Sequence, residues 1–82
     1  MMLKILFFAQ TRELVGVEQL ELEGDFSTAE SVREHLAMQG GKWALALAKG
    51  KLLVAINQTL CPLESAVKSG DEIAFFPPVT GG

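Results

Sequence analysis

The sequence predicts an α+β fold, a roll in which a mixed sheet is packed on one face by one main helix. Three observations support this fold. Five short runs have the composition or alternation of strands, one longer stretch has the periodicity of a helix, and their order is β, β, α, β, short β, β. With 82 residues, 49% of them apolar and 21% charged, the chain has the size and composition of one globular domain.

The first third of the chain is predicted to form an antiparallel hairpin. Residues 3–9 are rich in β-forming side chains and stop at a polar run, after which Gly16 marks a turn. In residues 17–23, Leu20 and Leu22 fall on one face with charged residues between them, which is typical of a half-buried strand.

The main helix is predicted to begin at Ser27. Ser27 and Glu30 fit a capping box, in which the hydroxyl accepts from a first-turn N–H and the carboxylate reaches back. Gly40 and Gly41 end the helix. Its inward stripe is predicted to consist of Ala29, Val32, Leu36 and the stem of Arg33. The alanines of residues 43–48 favour a further short helix over a strand.

The second half of the chain supplies the remaining strands. Residues 52–57 form a continuous apolar run, which predicts a strand at the centre of the sheet. A turn at residues 57–59 leads to a short edge strand within 60–63, where Pro62 is tolerated. Residues 72–76 form the final strand.

Two pairs of adjacent phenylalanines each place one side chain on the face of the sheet that the helix leaves open. Because successive side chains of a strand point to opposite faces, only one of Phe7 and Phe8, and one of Phe75 and Phe76, can face the helix. The other two form a docking patch or are covered by loops, and the sequence leaves both possibilities open.

The last six residues are predicted to leave a domain of residues 1–76 as an extended tail, residues 77–82. Pro77 and Pro78 lack the N–H that sheet pairing needs, so they stop the final strand and direct the chain outward. The four residues that follow can reach about 13 Å. The tail can therefore enter a cleft of another protein while the domain stays outside.

The tail ends in Gly81 and Gly82, which have no Cβ and can thread a narrow tunnel behind Val79 and Thr80. The reactive group is the α-carboxyl of Gly82. A carboxylate is a poor acyl donor, and adenylation by an ATP-using enzyme converts it to a mixed anhydride that a nucleophile can attack. The alternative is a frayed terminus without a function.

Other chemistry is not indicated by the sequence. His35 is the sole histidine and is read as a surface or half-buried residue, and Cys61, the sole cysteine, is read as a small packed side chain. Metal-ligand spacings, phosphate-binding glycine loops and nucleophile-base pairs are absent from the sequence. We therefore expect no stably bound cofactor and no metal.

Charge and hydropathy limit the partners. The net charge is −3 and the seven Lys and Arg residues are scattered, which argues against nucleic acids and acidic membranes. The apolar start of the chain is too short to span a bilayer, and a cytoplasmic protein is expected. An acidic face, solvated or steering a basic partner, is predicted for Glu13, Glu18, Glu21, Glu23 and Asp25.

Residues 4–9, 12–16, 70–72 and 75–82 together resemble the small subunit of molybdopterin synthase. The resemblance covers essentially the whole chain, and its most specific part is the ending from Phe75 to Gly82. It implies a ubiquitin-like β-grasp fold, which agrees with the roll predicted from the residues.

The resemblance also implies a function. An E1-like activating enzyme consumes ATP to adenylate Gly82, and sulfur from a donor replaces the adenylate to give a thiocarboxylate. The tail then enters the large synthase subunit, where the sulfur passes to cyclic pyranopterin monophosphate during molybdenum cofactor biosynthesis. Family members assemble as heterotetramers, with two small subunits at the ends of a large-subunit dimer.

Carried over to this sequence, Gly82 bears the sulfur and Gly81, Thr80 and Val79 give access to it. The implied partner interface consists of Phe75, Phe76, Pro77, Pro78 and Phe7. Two rival functions remain open: a ubiquitin-like modifier joined through Gly82 to lysines of other proteins, and a non-covalent binding module that uses only the phenylalanine face.

Overall fold

The computed structural model describes residues 1–48 and 52–78, which form one five-stranded sheet and three helices. The strands are β1 (Met2–Phe7), β2 (Gln19–Glu23), β3 (Leu53–Ile56), β4 (Thr59–Cys61) and β5 (Glu72–Phe76). The helices are α1 (Ala9–Val15), α2 (Ala29–Ala37) and α3 (Lys42–Ala46). The strand order is β2-β1-β5-β3-β4; β1 and β5 are parallel and the other pairs are antiparallel. The predicted mixed sheet is confirmed.

The connection between β1 and β2 contains a helix that the sequence analysis missed. The two strands pair as predicted, but β1 stops at Phe7 and α1 follows. Only Thr11 and Val15 of α1 are buried, so its apolar stripe is too short to give a helical periodicity. The helix ends at Gly16, whose φ of 82° is left-handed and whose N–H donates to the carbonyl of Arg12.

The predicted cap of α2 is wrong by one residue. Thr28, not Ser27, is the N-cap: its Oγ1 accepts from the N–H of Ser31 at 3.1 Å. The Oγ of Ser31 in turn accepts from the N–H of Thr28, also at 3.1 Å. Ser27 has the Glu three residues later that the capping-box pattern asks for, whereas at the observed cap Ser31 takes the place of that Glu. Glu30 instead binds Arg33 through two hydrogen bonds of 2.7 and 2.8 Å.

Arg33 joins α2 to the end of α3. Its guanidinium donates to the carbonyl of Leu47 at 2.7 Å, and the hydrogen bonds to Glu30 raise its pKa above the ordinary value. The predicted inward stripe is confirmed, since all four of its members are buried: Ala29, Val32, Arg33 and Leu36.

The centre of the sheet is β5, which lies between β1 and β3. The prediction of a central strand at residues 52–57 is therefore wrong, although β3 is interior and β4 is an edge strand as expected. Three consecutive residues of β5, Ile73, Ala74 and Phe75, are buried because neighbouring strands cover both of its edges. The apolar run at residues 52–57 thus marks an interior strand without marking the middle one.

The core lies between the helices and one face of the sheet. Phe7 stacks beside Phe75 with ring centroids 6.5 Å apart, and it forms a T-shaped pair with Trp43 whose ring centroids are 5.7 Å apart. Such aromatic pairs contribute beyond their buried area. Within residues 1–48 and 52–78, every helix is too short or too polar to cross a bilayer.

Candidate functional site

The structure decides which phenylalanine of each pair faces outward. Phe7 and Phe75 are 1% and 0% exposed, whereas Phe8 is 47% exposed and Phe76 is half-buried. Phe7 and Phe75 are register partners on parallel strands, so both point to the helix face. Phe7 and Phe75 are therefore core residues of this chain, and their contact with a partner stays a prediction, whereas Phe8 and Phe76 present apolar surface on the other face.

An apolar patch covers the open face of the sheet at the end where β5 finishes. One row across the sheet runs Leu60, Ala55, Ala74 and Leu6, each the register partner of the next. Beside it, Leu53 pairs with Phe76. We call these side chains the open-face patch: Leu6, Phe8, Leu53, Ala55, Leu60, Ala74 and Phe76.

Leu60 is a member of the patch that sequence reasoning missed. It is 63% exposed at the centre of the edge strand β4, opposite Ala55. The sequence does show that Leu60 points to the opposite face from Thr59 and Cys61, since only alternate residues of a strand share a face. Without knowing that β4 pairs with β3, however, the face could not be assigned.

The hairpin that carries Leu60 is held to the start of β5. Its turn residues Asn57 and Gln58 have φ values of 51° and 69°, the left-handed conformation of a tight hairpin turn. The Asn57 side chain donates to Asp71 Oδ1 at 3.0 Å and accepts from the N–H of Glu72 at 3.0 Å. These bonds fix the position of β4 relative to the central strand.

Asp71 is the anchor of that connection. Its side chain is 4% exposed, and its Oδ2 accepts from the N–H of Lys68 at 2.8 Å. The hydrogen bond from Asn57, and then the backbone hydrogen bond from Lys68, hold the pKa of Asp71 below its usual value despite burial.

The opposite end of the open face is charged. Lys4 is the register partner of Glu21 on β2 and of Glu72 on β5, which gives a charged row parallel to the apolar rows. The predicted acidic face is exposed throughout, at Glu13, Glu18, Glu21, Glu23 and Asp25. The open face is therefore apolar toward the tail and charged away from it.

The tail leaves from the apolar end. Phe76 makes the last register pair of β5, Pro77 is half-buried and Pro78 is exposed. The predicted access residues Val79, Thr80 and Gly81, and the predicted reactive residue Gly82, lie outside the described residues.

Neither His35 nor Cys61 is placed for chemistry. His35 is exposed and its ring meets the edge of Phe26 at 5.2 Å, while Cys61 is half-buried on β4. Within the described ranges, His, Cys, Asp and Glu side chains form no group of three that could hold a metal ion. The structure thus gathers exposed and half-buried apolar side chains at the root of the tail, where the sequence predicts that a partner docks.

A mixed sheet with this strand order, helices on one face and a tail leaving the central strand defines a ubiquitin-like β-grasp protein. The chain belongs to the ThiS family, whose model matches residues 5–82, and within it to the molybdopterin synthase sulfur carrier subunits. A protein of that name from Haemophilus influenzae is 80% identical over 81 residues, which cover 99% of this chain and all of the relative.

Two solved structures share the fold. A complex of subunits 1 and 2 of molybdopterin-converting factor from Helicobacter pylori contains a chain that matches with a TM-score of 0.68 and 28% identity, covering both chains completely. The small archaeal modifier protein 1 from Methanosarcina acetivorans matches with a TM-score of 0.76 and 28% identity, over 99% of this chain and 96% of the other. These likenesses confirm the β-grasp fold that the resemblance implied.

Proposed function

We propose that this chain is the sulfur carrier subunit of a molybdopterin synthase and that it works through its C-terminal carboxyl group. The observation that carries the proposal is the apolar patch at the root of the tail, which gives a partner a surface to hold while it receives the tail. The 80% identical relative bears the name of this subunit over the full length of the chain.

The chemistry of the proposal resides in Gly82. Its carboxylate attacks the α-phosphorus of ATP in an E1-like activating enzyme, pyrophosphate leaves, and an acyl adenylate forms. Sulfur at the oxidation level of sulfide, released from a donor, then attacks the acyl carbon of Gly82; the bond to AMP breaks and a thiocarboxylate remains. ATP is consumed by the activating enzyme, and this chain keeps no bound cofactor.

The second half of the cycle takes place in the large subunit. The tail enters that subunit, with Gly81 providing a slim approach behind Val79 and Thr80, and its sulfur passes to cyclic pyranopterin monophosphate. Because a dithiolene contains two sulfur atoms, two loaded carriers are needed for each product. The carrier must therefore bind, release and reload.

The open-face patch suits such a reversible partnership. Leu60, Phe8 and Phe76 offer exposed or half-exposed apolar surface without a deep cavity, so the association can be specific while remaining separable. The Helicobacter pylori structure is a complex of two subunits, which supports pairing of this chain with a large subunit. In the heterotetramer that we propose, the patch and the tail face the same partner.

Nucleic acids and membranes play no part in this cycle, which we place in the cytoplasm.

The test is the intact mass of the protein after incubation with the activating enzyme, ATP and a sulfur source. We expect a mass change that matches one oxygen replaced by sulfur, confined to the C-terminal peptide. Cys61→Ser should load like the wild type, and a variant lacking Gly82 should fold but not load. Sulfur found on Cys61 would contradict the proposal.

A second candidate is protein modification, which the likeness to a small archaeal modifier protein favours. In that case Gly82 forms amide bonds with lysine side chains of other proteins. Branched peptides that carry the two glycines on lysine, recovered from a digest of cells, would support this function. Their absence beside an efficiently formed thiocarboxylate would support the sulfur carrier.

A further inference from the structure

A second apolar surface lies on the helix side of the tail's root. It is a groove of about 550 Å³ between α1, α3 and the segment that follows β5. Leu14 of α1 and Leu45 of α3 form its sides, with Gln10 and Thr11 at the start of α1 and Pro77 and Pro78 at the tail. We call this surface the helix-side groove.

The lining of the helix-side groove selects apolar occupants. Its polar side chains are the exposed Gln10 and the buried Thr11, which is 2% exposed, and apolar side chains supply most of the lining. Leu45 is 68% exposed although it is a large apolar side chain. Phosphates, nucleotides and metal ions need charged groups or converging donors, and the described residues that line these walls include no charged side chain. Apolar side chains of a protein fit the groove best.

The groove is continuous with the docking surface already described. Pro77 and Pro78 form one of its walls, and Phe76, the residue before them, belongs to the open-face patch. The two surfaces therefore lie on opposite sides of the same short segment. A protein that takes the tail into a tunnel as far as its root meets both surfaces.

We propose that the helix-side groove is the second half of the docking surface and receives apolar side chains of the large subunit that takes the tail. This inference rests on the proposed function. With the patch held on one side and the groove filled on the other, the partner clamps Pro77 and Pro78 from both sides. Because proline fixes φ, clamping these two residues sets the direction in which the last four residues travel.

The clamp gives a physical reason for apolar surface on the helix side. A tail tip about 13 Å beyond Pro78 moves far when its root rotates, so the reactive carboxyl is placed accurately only if the root is fixed in more than one direction. One flat patch leaves the domain freest to slide and turn within the plane of the patch, whereas side chains seated in a groove on the other side of the root also restrain these motions.

The test compares Leu45→Ser with Met38→Ser in binding of the full-length chain to the purified large subunit, measured by isothermal titration calorimetry. Leu45 lines the groove, and Met38 is an 85% exposed apolar residue outside it. We expect Leu45→Ser to weaken binding about tenfold or more and Met38→Ser to change it less than about twofold. Thermal melts should show both variants folded, since both side chains are largely exposed.

A second substitution checks that a loss of binding is not peculiar to position 45. Ala48 is exposed on the rim of the groove, and Ala48→Glu places a carboxylate where apolar side chains should dock. It should weaken binding at least as much as Leu45→Ser, because an unpaired charge would be buried. Binding within about twofold of the wild type for both groove variants would overturn the inference.

Further arms separate this inference from the proposed function. Leu60→Ser on the open-face patch and removal of residues 79–82 should both weaken binding. If neither does, the proposed function fails; if both do while the groove variants bind normally, only the groove inference fails.

Sedimentation equilibrium of the wild type should show a monomer. A dimer that Leu45→Ser dissociates would show that a second copy fills the groove and would overturn the inference.

Discussion

The two faces of the sheet carry the same residue types at adjacent positions and use them differently. On the helix-covered face, Phe7 and Phe75 are at most 1% exposed and stack in the core. On the open face, Phe8 is 47% exposed and Phe76 is half-buried beside the tail. A shift of one residue along a strand therefore separates a side chain that holds the fold together from one available to a partner.

The largest effect should come from removing a core ring. Phe75→Ala should lower the free energy of unfolding by about 3–5 kcal/mol, because it deletes a fully buried side chain and leaves a cavity. Phe76→Ala, the matched change on the open face, should cost much less. Urea denaturation followed by circular dichroism measures both, and equal losses would break the distinction between the two faces.

The next largest effect concerns binding rather than folding. Phe76→Ala should weaken association with the large subunit by about 1–2 kcal/mol, since it removes an apolar side chain beside the tail. Val17→Ala is a suitable control, because Val17 is 39% exposed and lies outside the open-face patch. Calorimetric titration measures both variants, and an unchanged affinity for Phe76→Ala would remove this residue from the interface.

A smaller effect is expected at the junction between β1 and α1. Ala9 has a φ of 53°, a left-handed conformation that costs an L-residue roughly 1–2 kcal/mol. Ala9→Gly should therefore raise stability by up to about 1 kcal/mol after the greater chain entropy of glycine is included. Ala44→Gly on the exposed side of α3 is the control and should destabilise by about 0.5–1 kcal/mol. A loss of stability in Ala9→Gly would contradict the strain at this position.

The smallest effect that we expect is the pH dependence that Asp71 gives to the free energy of unfolding. Its pKa is lower in the folded than in the unfolded chain, so the folded state binds fewer protons in acid. The stability it contributes is complete above the unfolded value of about 3.9 and is lost as pH falls through the lower folded value. Urea denaturation between neutral and strongly acid pH should show this loss, and Asp71→Asn should make the profile flatter. An identical profile in the variant would show that other carboxylates cause the loss.

Much of the fold could be predicted because its signals are local. The alternation around Leu20 and Leu22, the stripe of α2 and the turn before β5 follow from side-chain periodicity and glycine. α1 escaped prediction because seven residues with two buried positions do not make a periodic pattern. The sequence also did not show that Thr28 rather than Ser27 is the N-cap of α2, since both side chains carry a hydroxyl that can accept from a first-turn N–H.

The chemistry expected at Gly82 stays a prediction, and the surface at the root of the tail could be predicted only in part. The tail could be singled out because two prolines and two glycines have a physical meaning that does not depend on contacts. Whether Phe75 or Phe76 faces outward depends on the parallel pairing of β1 with β5, which joins residues far apart in the sequence. Assigning Leu60 to the open face depends on a further non-local contact, the pairing of β4 with β3.

The most direct test of the division between the two faces is methyl and aromatic NMR of the full-length chain during titration with the large subunit. We expect the largest shifts and line broadening at Leu53, Leu60 and Phe76, with Leu3, Ile5 and Ile73 on the covered face much less affected. Changes centred instead on the exposed helix-side residues Met38 and His35, with Leu60 and Phe76 unaffected, would contradict the assignment of the open face as the docking surface.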